Sequence, residues 1–252
     1  MRAAVVVNVR AAWLVCAIGL GLGACAPLGT AQRRDHPLLG REVGEQPSSS
    51  SLWRSPISDA LPRDDEDARD ARLRVAAAAS SSLGGQPIIV GGVRYRMDCS
   101  GVASGIYARA GFSLGPDAER SGGLDVRRLY DLVKATGSLR KRDPLPGDLV
   151  FFDDTYDYNG NGLVDDPLSH VGVVEHVVDD GTVVFVHRIG QQVVRARLNL
   201  QQPSVRHDDK RRALNHYLRA ASGAWPAKTT GELFVAFGSL PVAKPERLIA
   251  SR

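Results

Sequence analysis

The chain has 252 residues, 43% of them hydrophobic and 24% charged, with a formal net charge of +4. This is ordinary globular composition, which argues against a disordered chain, a collagen or a multi-span membrane protein. The charge is too mild, and too little interleaved with aromatics, for nucleic-acid binding. Three cysteines make no disulfide scaffold.

The start reads as an address. Arg2 and Arg10 precede the small, apolar run AAWLVCAIGLGLG, which is shorter than the ~20 residues a spanning helix needs. It ends in Leu22-Gly23-Ala24-Cys25, which resembles the lipobox of bacterial lipoproteins. That resemblance implies a signal peptide over 1–24 and a lipid on Cys25. Ala26, rather than Asp, follows the cysteine, which implies delivery to the periplasmic face of the outer membrane. Cleavage would remove Cys16. With Cys25 lipidated, Cys99 is then a lone thiol in an oxidising compartment, where structural cysteines are usually paired.

Residues 25–70 read as a flexible tether, with the run Ser48 to Ser51, scattered prolines and a charged stretch from Arg63 to Arg72. A short helix over Asp64–Ala79 is compatible with its Ala, Arg and Leu content. A flexible coil of this length reaches on the order of 40 Å.

The dense part is expected over 71–205. Helices are expected at Ala71–Ser82, stopped by Gly84-Gly85, at Cys99–Ala110 and at Asp125–Thr136, with an extended piece over Pro87–Met97. Strands follow at Leu149–Phe152, His170–Val178, Thr182–His187 and Gln192–Leu198. Asp179-Asp180-Gly181 turns the hairpin. Helices followed by a meander of strands indicate an α+β domain. Residues 206–252 are expected as an extension partly packed on the domain, with a helix over Arg211–Ala221 and a strand over Glu232–Phe237.

Three residues can carry chemistry together. Cys99 opens a helix, whose positive end lowers a thiol pKa. His170 opens one strand of the hairpin and His187 ends the other, so both fall toward its open end. A thiol, a histidine base and a polar group that orients the base form an activated nucleophile. Strand alternation places His176 on the face of His170, with no role assigned to it. His36, His207 and His216 need none.

These residues stand in a frame that resembles the NlpC family of papain-like cell-wall cysteine peptidases, to which the CHAP amidases are related. The matching pieces are Gly91-Gly92, Asp98-Cys99-Ser100-Gly101-Val102, Pro146-Gly147-Asp148-Leu149-Val150-Phe151-Phe152, His170-Val171-Gly172-Val173-Val174 and Phe185-Val186-His187. The resemblance implies N-terminal helices packed on a central antiparallel β-sheet. It implies cleavage of amide bonds in peptidoglycan stem peptides, with Cys99 as nucleophile, His170 as general base and acid, and His187 as orienter. It also implies a backbone oxyanion hole at Cys99. Asp98, Ser100, Tyr95 and Tyr156 make up the substrate and oxyanion region. The family's tyrosine before Gly-Gly is missing, since Ile88 and Ile89 occupy that stretch.

A second motif precedes His170. Asp157, Asn159, Asn161 and Asp165 stand at positions one, three, five and nine around Gly162, which resembles an EF-hand loop. The twelfth position is Leu168, without the bidentate Glu. A structural Ca²⁺ is expected there, and the chemistry itself requires no cofactor. Partners are peptidoglycan and, through Cys25, a membrane; the chain is expected to act as a monomer. The alternative is a non-catalytic peptidoglycan-binding lipoprotein that keeps the fold as a scaffold.

Overall fold

The computed structural model describes residues 63–223 and 225–242; the signal and tether readings, with Cys16 and Cys25, lie outside them. In chain order the elements are α1 (Arg63–Ser80), β1 (Ile89–Val90), β2 (Val93–Arg94), α2 (Cys99–Arg109), α3 (Pro116–Ser121), α4 (Val126–Thr136), β3 (Ser138–Arg140), β4 (Leu149–Phe152), β5 (His170–Val177), β6 (Val183–Ile189), β7 (Gln192–Leu198), β8 (Tyr217–Arg219), β9 (Lys228–Thr229) and β10 (Phe234–Ser239). No helix among the described residues is long and apolar enough to cross a membrane.

The centre is a six-stranded antiparallel sheet in the order β3-β10-β4-β5-β6-β7. Each face of the sheet has its own apolar layer. Leu149, Phe151, Val171, Val173 and Val186 point to the face that carries Val75, Val102, Ile106 and Leu129 of the helices. Phe152, Val174, Phe185, Ala196 and Leu198 point to the other face, closed by Leu218 and Leu233. Sheet strands that are buried on both faces read as continuous apolar runs, which is why LVFF carries no alternation. The α+β class and the helix-on-antiparallel-sheet layout are as expected.

The helices start on named caps. Asp98 accepts from the Gly101 N–H and Asp125 from the Arg128 N–H. Gly101 is required by contact: a Cβ there would lie 2.3 Å from the Arg96 carbonyl oxygen. The hairpin turn closes with Val178 N–H donating to the Thr182 carbonyl, and Gly181 has φ +78°.

The PGDLVFF segment has a structural anchor in Asp148, which is fully buried. It accepts from Arg72 of α1 at 2.7 Å, Arg140 of β3 at 2.5 Å, Ser239 of β10 at 2.7 Å and the Leu145 N–H at 2.8 Å. One carboxylate thus joins a helix to two strands distant in sequence.

Helix α1 (Arg63–Ser80) forms over the stretch Asp64–Ala79 as expected, and it is one helix with the piece expected from Ala71. Several expectations are corrected. The helix over Arg211–Ala221 does not form. Leu218 of β8 is drawn into the second apolar layer, and Asn215 bonds the carbonyls of Gln202 and Val205, so tertiary burial overrides helix propensity. The strand near 232–237 exists as β10, and it is not peripheral: it lies between β3 and β4. A bulge between Val174 and His176 breaks the alternation of β5, which leaves His176 exposed at the surface.

Candidate active site

Cys99 is the first residue of α2, half-buried, and faces a groove of about 400 Å³. The groove is walled by Asp98, Cys99 and Ser100 on one side and Tyr156, Tyr158 and Ser169 on the loop that leads into β5. Tyr156 and Tyr158 pack edge-on, 5.9 Å apart. Asp98 accepts from the Ser100 hydroxyl at 3.1 Å and the Arg96 Nε at 2.9 Å.

His170 and His187 meet. Nε2 of His170 lies 2.9 Å from Nδ1 of His187, and the rings cross at 85°. Both are nearly enclosed, at 8% and 4% exposure, against Phe152 and Phe185 of the second apolar layer. The β5–β6 ladder ends at the Val173–Val186 pair, so beyond it the imidazole pair links the strands. Gly172 makes room at this point, because a Cβ there would lie 2.6 Å from the Phe185 ring and 3.0 Å from the Val186 carbonyl oxygen.

Burial sets the protonation states. It pushes the Cys99 thiol up to about 11. The Asp98 charge adds to the rise, while the N–H groups of Val171, Ser100 and Cys99 itself oppose it. The expected lowering by the helix end is therefore outweighed by desolvation. Burial likewise holds His170 down at about 4 and His187 well below the ordinary histidine range, with the neighbouring His170 adding to the latter. The resting site holds a neutral thiol and two neutral imidazoles. Among the described residues the thiol makes no hydrogen bond to either imidazole. With its Nε2 tied to His187, His170 has Nδ1 left to receive a proton.

Other residues fall into place unequally. Tyr95 lies in the core, its ring against Gly105 under α2, and does not line the groove. Tyr156 does line it. The Asp157–Asp165 loop is folded by its own turns. Asp157 accepts from the N–H groups of Gly160, Asn161 and Gly162, Asn159 from that of Asn161, and Asn161 from that of Leu163. Asp165 Oδ1 sits 3.4 Å from Asn161 Nδ2. Among the described residues no group of three or more His, Cys, Asp or Glu is placed to hold a metal.

Sequence reasoning missed Arg96. Its guanidinium donates to Asp98 and to the carbonyls of Ser121, Gly123 and Leu124, which ties the cap of α2 to the loop before α4. No sequence signal marks it, because the three carbonyls it holds lie 25 to 28 residues away.

No curated protein and no solved structure matches the chain. Residues 90–188 match the CHAP domain family, a span that takes in Cys99, His170 and His187. Domains of this kind are typically hydrolases acting on peptidoglycan. The matched span covers the part of the chain that builds the groove.

Proposed function

We propose that the chain is a cell-envelope cysteine hydrolase that cleaves amide bonds in peptidoglycan stem peptides, with Cys99 as nucleophile, His170 as base and His187 as its orienter. The observation that carries this reading is the buried 2.9 Å contact between His170 Nε2 and His187 Nδ1, next to a groove walled by a helix-borne thiol. The tautomers follow from the roles: His170 carries its proton on Nε2 and donates it to His187 Nδ1, which leaves His170 Nδ1 as acceptor. As the substrate carbonyl meets the sulfur, His170 Nδ1 takes the thiol proton and a C–S bond forms. The amine leaves with that proton as the C–N bond breaks. Water then attacks the thioester, giving its proton to His170, and the thiol is restored as the carboxylic acid departs. The Cys99 N–H at the start of α2 is suited to stabilise the oxyanion. The Cys-His-His set is the NlpC-like feature of this reading.

Two further elements belong to the proposal. Cys25 carries a lipid that anchors the chain at the periplasmic face of the outer membrane, supported by Leu22-Gly23-Ala24-Cys25. Ca²⁺ stiffens the loop before His170, supported by the hard oxygen donors of Asp157, Asn159, Asn161 and Asp165. Metabolic labelling with an alkynyl fatty acid, lost in Cys25→Ser, checks the first. A calcium-dependent rise in melting temperature, lost in Asp157→Ala, checks the second.

The reading is tested by incubating the chain and Cys99→Ala with purified muropeptides and analysing products by mass spectrometry. Fragments that require Cys99 support the hydrolase and identify the bond. Intact muropeptides with undiminished binding to sacculi would replace it with a peptidoglycan-binding scaffold.

A further inference from the structure

Among the described residues, every charged group that lines the groove has an ion-pair partner except one. Asp98 is tied to Arg96 and to the start of α2. Arg96 is consumed by Asp98 and three carbonyls. Asp125 caps α4 and faces Arg128 at 3.5 Å. Arg127 is exposed and makes no ion pair among the described residues; its guanidinium reaches across to the Pro167 carbonyl at 3.4 Å. It therefore spans from α4 to the loop before His170, over the groove that contains Cys99. Its position is electrostatically adverse, since a cation in the first turn of a helix opposes the macrodipole. An exposed cation set against the macrodipole at the edge of the groove, with no anion opposite it among the described residues, is suited to a ligand that supplies one.

We propose that Arg127 determines specificity by pairing with a free carboxylate on the peptide bound in this groove. The proposal rests on the peptidoglycan reading above and narrows it to stem peptides whose carboxylate next to the cleaved bond is not amidated. Arg127 touches the substrate at a distance from the reacting atoms, so its effect falls on binding. The planar fork of an arginine suits a carboxylate, whereas a carboxamide offers only one neutral acceptor.

The test is equilibrium binding by calorimetry to the full chain carrying Cys99→Ala, which holds ligand uncleaved, with and without Arg127→Gln. The probes are a stem tripeptide with free carboxylates and the same tripeptide with carboxamides. We expect the carboxylate form to bind at least fivefold tighter. Arg127→Gln should bring that ratio close to one by weakening only the carboxylate form, and Arg127→Lys should retain part of it. Equal binding of the two forms, or a preference that survives Arg127→Gln with an unchanged melting temperature, overturns the proposal and leaves the peptidoglycan reading standing. Binding of neither form overturns both.

Discussion

Replacing Cys16 and Cys25 with serine leaves Cys99 as the chain's single thiol, so its alkylation by iodoacetamide can be followed alone. With the thiol at about 11, roughly one molecule in 10,000 is thiolate at pH 7. An unperturbed cysteine near 8.5 would have about 300 times more. The more basic thiolate is intrinsically more nucleophilic, which returns roughly tenfold. Cys99 should therefore react about 30-fold more slowly than a free cysteine at pH 7, with a rate that climbs about tenfold per pH unit up to pH 10. The physical cause is the apolar packing around the sulfur together with the neutrality of His170, which burial holds at about 4. In the proposed mechanism activation is then proton transfer during attack, and activity should follow a broad bell bounded near 4 by His170 and near 11 by the thiol. A rate of alkylation that is flat between pH 5 and 8 would show a preformed thiolate–imidazolium pair and refute this reasoning.

Three other outcomes follow from the same geometry. His170 is held below its ordinary value, so the unfolded chain takes up the proton first, and stability present at neutral pH is lost as pH falls from 6.5 to about 4. The loss from this group is about 3 kcal/mol by pH 4, read from urea unfolding at several pH values, and His170→Gln should flatten the slope; an unchanged slope would place the effect elsewhere. Removing Asp148 strands Arg72 and Arg140, and Asp148→Ala should cost about 3–5 kcal/mol in the same assay; a loss under 1 kcal/mol would contradict its anchoring role. His187→Ala leaves the His170 ring unoriented and should lower kcat about 100-fold or more with little change in KM; a purely KM effect would make His187 a packing residue.

Some of this was legible before the structure. Cys99 at a helix start and the Asp179-Asp180-Gly181 turn are local signals, and they place the thiol and the two histidines within a few residues of where they lie. What escaped was non-local. β10 pairs between β3 and β4 from the far end of the chain, and its Ser239 bonds Asp148 across 91 residues. The bulge after Val174 moves His176 off its expected face, and a period of two cannot foresee an inserted residue. Tyr95 faces the core because Gly105 opens a hollow for it, a contact no spacing rule contains. The thiol's raised pKa escaped for a similar reason: a helix start is visible in sequence, and the depth at which it is buried is not.

In the proposed reaction the Cys99 sulfur takes an acyl group from a peptidoglycan amide. Acid-quenching the chain during turnover and measuring its intact mass tests this directly. The expected result is a hydroxylamine-labile adduct with the mass of the acyl fragment, mapped to Cys99 and absent in Cys99→Ala. Product release by Cys99→Ala at the wild-type rate, with no adduct on the wild-type chain, would contradict it.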